Sequence, residues 1–416
     1  MKLPPSLRAL NYRNFQLFIS GQSVSLIGTW MQRIAVSWLV YEMTHSAFML
    51  GLVAFSSQIP MMFLSPYAGA YVDRHSRYRT LLVTQFASML QAGLLALVVL
   101  TNHYNIVIII ILSIMLGIIN AFDVPSRQAL MIVLVENGPD LPNAIALNST
   151  MVTLARLVGP AVAGILLSTV GEGICFLINF LSFIAVITTL LMMKLKIPER
   201  KKHVEPIWKN LMQGFTYIKR SPALKHTIIL MALMSLFIMP YLTLLPVYAK
   251  TVFKGDATTF GWLNAISGLG AMMGAIYVAR LHAGRNLLKV MIGAGMLVSV
   301  ALMLFSYVTY LPLSLVILMA GEAGLLAFIA TTNTYLQTNV EENMRGRVIS
   351  YYAMAFGGML PVGSLIVGFL AHLTSAPFTV LAEGVAGIIT LLSFIPAFKK
   401  TSKRAKEKAR RLKLAQ

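Results

Sequence analysis

Three ionisable side chains, Arg33, Arg156 and Glu322, lie deep in long apolar runs, and a fourth, Glu383, lies in another. Such groups are costly among apolar side chains and mark functional positions by default. Glu322 stands among Ala320, Gly321, Ala323 and Gly324, small neighbours that leave room for water or a solute. A carboxyl there could take up and release a proton during a cycle, or be a neutral acid hydrogen-bonded between helices. Arg33 ends a row with Gln22, Ser25 and Thr29, which share one side of a helix at about 100° per residue. That row should face an aqueous cavity, and Ser149, Thr153 and Arg156 repeat it further along. The arginines would attract an anionic solute or neutralise a buried carboxylate such as Glu322. Asn120 adds a polar group to residues 106–122, a run without charge. Glu383, near the outer end of its run, reads as interfacial.

Long apolar helices must position these residues. Hydrophobic residues make up 57% and charged residues 12% of the 416 positions, against about 45–50% and about 25% in soluble domains. The mean hydropathy is +0.75. Apolar runs of about 20 residues, enough to cross about 30 Å of hydrocarbon, recur twelve times; residues 15–41, 106–122, 144–170, 227–249, 313–336 and 378–398 are examples. Lipid leaves no backbone group unpaired, so the choice is helices or a closed barrel. Residues 106–112 do not alternate in polarity as a barrel strand would. An all-α membrane protein of twelve transmembrane helices is expected. Residues 1–13 are basic and no small-residue cleavage site follows, so the first helix reads as a retained anchor.

The formal net charge is +20. Basic residues gather in alternate connections, at 1–13, 73–79, 194–225, 280–289, 345–347 and 399–416. The opposite connections hold only Lys250 and Lys254, and the remaining three, Arg33, Arg127 and Arg156, fall in the spans. This positive-inside pattern places the chain in the inner (cytoplasmic) membrane with both termini in the cytoplasm. The basic tail, 399–416, should lean on anionic lipid head groups. It lacks the aromatics that nucleic-acid binding would interleave, so membrane lipids are the expected partner and nucleic acid is not. A single cysteine, Cys175, excludes an internal disulfide and a cysteine metal cluster. No zinc-protease, P-loop or nucleophile-elbow motif occurs, so the rival reading of an integral-membrane enzyme lacks a catalytic signature. Neither a metal nor a cofactor is expected.

The polar stretch 195–223 divides the chain into bundles at 1–194 and 224–398. Within it, residues 206–219 read as an amphipathic helix on the inner interface, with Ile207, Leu211, Phe215 and Ile218 on one face. The halves repeat at an offset of about 204 residues: Gly159 and Gly164 match Gly363 and Gly368, and Gly69 matches Gly274. Internal repeats in helical membrane proteins point to transporters whose two bundles flank a midplane site.

Between the second and third runs stands Gly69-Ala-Tyr-Val-Asp73-Arg74-His-Ser76-Arg77-Tyr78-Arg79. Further on come Asp123-Val-Pro125-Ser-Arg127-Gln128, Leu141-Pro-Asn143 with Asn148, Arg156-Leu-Val-Gly159-Pro160-Ala-Val-Ala-Gly164 and Arg345-Gly-Arg347-Val348. With these motifs the chain, apart from its tail, resembles the major facilitator superfamily, in the branch of enterobactin-type siderophore exporters and macrolide efflux proteins. Ser76 and Tyr78 stand where the superfamily pattern has a glycine and a basic residue. The resemblance implies two pseudo-symmetric six-helix bundles and alternating-access export of a small siderophore-like or drug-like molecule. It also implies coupling by antiport to protons, and a monomer is expected; lipid or lysolipid movement by the same fold is the alternative. Gly69, Asp73, Arg74, Arg77, Asp123, Arg127 and Arg347 would then form a cytoplasmic gate. In it Asp73 faces the start of the eleventh span, and Arg74 or Arg77 pairs with Asp123. Gly159, Pro160 and Gly164 match part of an antiporter-associated pattern, whereas the arginine that many drug exporters carry in the fourth span is missing.

Overall fold

The computed structural model describes residues 4–135, 140–195, 207–282 and 285–414, with no strand among them. Twelve long helical stretches, called spans one to twelve here, follow in order: Arg13–Thr44, Ala47–Arg74, Arg77–Leu100, Ile106–Leu134, Leu141–Thr169, Glu172–Leu191, Pro222–Val252, Ala257–Ala279, Leu287–Tyr307, Leu311–Thr338, Glu342–Leu373 and Ala376–Leu414. Eleven are long and apolar enough to cross a membrane. Span one, 32 residues long, is as long but carries Gln22, Ser25, Thr29, Gln32 and Arg33, which lower its hydropathy.

Several spans start at side-chain caps, which satisfy amide groups that the helix leaves unpaired. Ser46 accepts from the Met49 amide, Asn105 from Ile108 and Asn286 from Lys289. Ser76 caps span three by accepting from the Arg79 amide at 3.4 Å. Its neighbour Tyr78 donates to the Leu190 carbonyl at 3.0 Å. The two departures from the superfamily pattern thus each have a structural task. Span four continues to Leu134, well past the apolar run, because Asp123 and Arg127 pair one turn apart within the helix.

The chain forms two compact units. The first is Met1–Val204 with Leu245–Gly268, and the second Glu205–Leu244 with Leu269–Gln416. The stretch Leu245–Gly268, which the sequence places in the second bundle, therefore packs within the first unit. In that unit span one packs on spans five and six, and span three on spans four and six. The second unit repeats these pairings six spans later, as seven on eleven and twelve, and nine on ten and twelve. The glycine repeat has the same basis. A Cβ on Gly159 would strike Trp30 and the Ile27 carbonyl of span one, and one on Gly363 would strike Pro240 and the Leu236 carbonyl of span seven. Gly69 and Gly274 are not equivalent, since Gly274 abuts the Ala323 backbone while Gly69 faces open space.

A helix at Ile207–Arg220 precedes span seven. Tyr351 of span eleven donates to its Leu211 carbonyl at 3.0 Å, and Gly214 lies against Arg347 and Tyr351. Ile218 is buried, but Phe215 is 50% exposed, so the expected single apolar face is divided between protein and surroundings. Pro206 and the Ile207 side chain lie outside the described residues.

Candidate functional site

In the first unit, Gly159 brings span five against span one at Trp30, and this places Arg156, one turn earlier, beside the same ring. The Arg33 guanidinium carbon lies 4.6 Å from the Trp30 ring centroid and that of Arg156 6.0 Å away. Arg33 is exposed and Arg156 half-buried. Both guanidiniums lie within reach of the Trp30 ring, whose quadrupole contributes about 0.5–2 kcal/mol per cation, and the two positive charges concentrate at one place.

The rest of the expected row does not line a cavity with them. Gln22 and Ser25 are 1% and 3% exposed, and Thr29 returns its hydroxyl to the Ser25 carbonyl. Span one packs against spans two, four, five and six, so these positions meet protein. Gln22 accepts a long 3.5 Å bond from Arg127 and belongs to a second cluster. There Asp123, 3% exposed, takes Arg127 at 2.7 Å, Gln85 at 2.6 Å and Thr84 at 3.0 Å. The expected pairing of Asp123 with Arg74 or Arg77 is therefore corrected: Arg127 sits one turn away on the same helix and occupies it. Arg77 donates instead to the Ala129 carbonyl at 3.0 Å. Asp73 and Arg74 are exposed, Asn120 and Gly69 are half-buried, and Arg347 rests against Met344. Ser149 is exposed, with its hydroxyl on the Ile145 carbonyl.

A third polar group went unnoticed in the sequence. Gln32 donates to Gln91 at 2.9 Å and accepts from Asn179 at 2.7 Å, while Gln91 donates to the Leu112 carbonyl. These amides tie spans one, three, four and six together.

Span seven breaks where it passes from the second unit into Leu245–Gly268. Pro222–Phe237 is α-helical, Met239–Leu244 a 3-10 turn, and Tyr248–Val252 a wider π turn. Pro240 and Pro246 each remove a backbone donor, which explains the break. The broken segment is held by span eleven, through Thr243 on Ser364 at 3.3 Å and through the close approach of Gly363. At this break the Tyr241 hydroxyl donates to Glu322 Oε1 at 2.5 Å, and Glu322 is 1% exposed. Glu383 is 5% exposed, with the Tyr241 backbone amide beside its carboxyl and no side-chain partner. The interfacial position expected for it is thus corrected to a buried one, because span twelve packs on spans seven and nine. Among the described residues no three His, Cys, Asp or Glu converge as metal ligands.

Leu245–Gly268 packs within the first unit, with Tyr248, Phe260 and Leu263 buried. Lys250 pairs with Glu42 at 2.8 Å, and Phe260 stacks on Trp38 with centroids 5.8 Å apart. Gly261 crosses Gly164 so closely that a Cβ on either would lie under 3 Å from the other's Cα. Gly164 is therefore a contact glycine, as its place beside Gly159-Pro160 suggests.

Two six-helix repeats with a broken helix and buried ionisable groups define a polytopic membrane carrier of the major facilitator fold. The chain belongs to the transmembrane secretion effector family, whose model matches residues 6–414. It is 28% identical over 390 residues to the staphyloferrin A transporter of Staphylococcus aureus (strain NCTC 8325 / PS 47), covering 91% of this chain and 94% of that one. It is 24% identical over 358 residues to the multidrug efflux pump Tap of Mycolicibacterium fortuitum, covering 84% and 87%. Among solved structures, a bacterial homologue of the iron transporter ferroportin superposes with a TM-score of 0.73 at 16% identity, covering 92% of this chain and 98% of that one. That last likeness is one of fold.

Proposed function

We propose that the protein exports a small organic anion from the cytoplasm by alternating access, in exchange for protons. The observation that carries this reading is the buried Glu322 carboxyl, held by Tyr241 at the break in span seven. Broken spans at this depth are where transporters build ion and substrate sites. A proton arriving on Glu322 removes its charge, and Tyr241 can then accept where it had donated, so the break can repack. Arg33 and Arg156 on Trp30 supply the attraction for an anion, in keeping with the siderophore named for the Staphylococcus aureus relative. Leu245–Gly268, fastened in part by an exposed ion pair and a ring stack, serves as the outer gate; Asp73, Arg74 and Arg77 serve the inner one. The basic connections support an inner-membrane location with both termini in the cytoplasm.

The test is efflux from proteoliposomes under an imposed pH gradient, with staphyloferrin A and a cationic dye as probes. Wild type should accelerate with the gradient, and Glu322→Gln should transport slowly at a rate the gradient does not change. Arg33→Gln should raise KM for the anionic probe and leave that for the cation alone. If collapsing the gradient leaves wild-type efflux untouched, the coupling is wrong.

A further inference from the structure

Spans eight and nine each touch span ten but leave a gap between themselves. Gly274 sets span eight directly on the Ala323 carbonyl. Gly324 does the same for span nine, where a Cβ would lie 2.8 Å from the Ala294 carbonyl. The small residues of span ten therefore floor a groove instead of filling it, and the cavity measures 590 Å³. Gly293 opens onto it with no atom within 4 Å of where a Cβ would stand. Tyr277 and Leu297 rim the groove and are 49% and 47% exposed, as side chains facing acyl chains would be.

The mouth of this apolar groove is basic. Arg285, Asn286 and Lys289 line it, and both cations are exposed. Neither forms an ion pair among the described residues. Asn286 caps span nine, so the amide end of a 21-residue helix adds partial positive charge at the same place. From Lys289 to Leu297 the groove runs about 12 Å along the helix. Cations at the end of an apolar furrow between spans match an amphiphile with an anionic head. A free anion would leave the furrow empty, and a neutral lipid would leave the cations unmatched.

We infer that this groove binds one anionic phospholipid, its phosphate between Arg285 and Lys289 and an acyl chain along Gly293 and Leu297. The site is separate in sequence from the basic tail at 399–416.

Native mass spectrometry of the full chain in detergent tests it, with phosphatidylglycerol, phosphatidylcholine of the same chains, and glycerol 3-phosphate as probes. Phosphatidylglycerol should be retained by wild type about thirty-fold better than phosphatidylcholine, as two cations near the membrane surface would favour. Arg285→Gln with Lys289→Gln should abolish that preference. Gly293→Leu fills open space, so it should keep the wild-type melting temperature yet lose bound lipid. Both variants keep the tail, so its contribution cancels. Wild-type retention in both, or displacement of lipid by glycerol 3-phosphate at equal concentration, overturns the proposal. Should Gly293→Leu fail to fold, the charge variant alone decides.

Discussion

Gly164→Val should release Leu245–Gly268 from the first unit. A Cβ at Gly164 would sit 2.8 Å from the Gly261 Cα and 3.2 Å from the Ala257 carbonyl, where ordinary contact begins at 3.4 Å. The crossing would have to open by about 0.6 Å for alanine and further for valine, and overpacking of this kind costs about 1–3 kcal/mol. The substitution also gains helix propensity, but equally whether the segment is docked or free, so the docking balance takes the whole penalty. That corresponds to a shift of about 5–150-fold in the docked population. Ala257, 3% exposed, reports it. A cysteine installed there should react with a membrane-impermeant maleimide in Gly164→Val faster than in wild type by that factor, with Gly164→Ala between. Cys175 is fully buried and gives no background. Unchanged labelling in the valine variant would refute the idea that this glycine crossing holds the segment.

Two further predictions concern buried carboxyls. Asp123→Ala leaves Gln85 without its acceptor and Arg127 without its counter-charge, while Thr84 keeps the Leu81 carbonyl, and should destabilise by about 3 kcal/mol or more. A thermal melt within a degree of wild type would contradict that cluster. Glu383→Leu replaces a buried carboxyl that has only the Tyr241 backbone amide beside it, an under-satisfied state that costs about 1–3 kcal/mol; the variant should melt several degrees higher and transport more slowly. A variant that melts higher and transports normally would show that Glu383 has no part in the cycle.

What could be read from the sequence was whatever a local rule decides. An arginine or glutamate inside an apolar run is visible by itself, so Arg33, Arg156 and Glu322 stood out. The glycine pair at Gly159 and Gly363 was legible because the repeat copies a helix crossing, not merely a composition. Orientation was not legible. The row from Gln22 to Arg33 was assigned to one wet face, but span one is enclosed by four neighbours, and Gln22 and Ser25 turn into them. Tyr241 was missed because a tyrosine in a membrane helix is unremarked, and its carboxyl partner is 81 residues away. The signal that could have found it was Pro240 and Pro246 inside one run, which foretells a break. Gln32, Gln91 and Asn179 meet across as many as 147 residues, beyond any local pattern.

The distribution of bond strengths bears on how such a chain can move. Inside the first unit, Gln32, Gln91 and Asn179 are 2% exposed or less and mutually satisfied, so parting them would strand buried donors, at about 1–3 kcal/mol each. The contacts that fasten Leu245–Gly268 are of another kind. The Lys250–Glu42 pair leaves its side chains 43% and 33% exposed, and a pair that open contributes about 0–1 kcal/mol. The Trp38–Phe260 stack adds about 0.5–1.5 kcal/mol beyond its buried area, and the glycine crossing has no side chain to desolvate. A carrier must populate two states that differ by only a few kcal/mol. Satisfied polar networks that hold the helices of the first unit together, beside apolar, glycine and exposed-pair contacts that strand no buried donor when one segment shifts, meet that requirement.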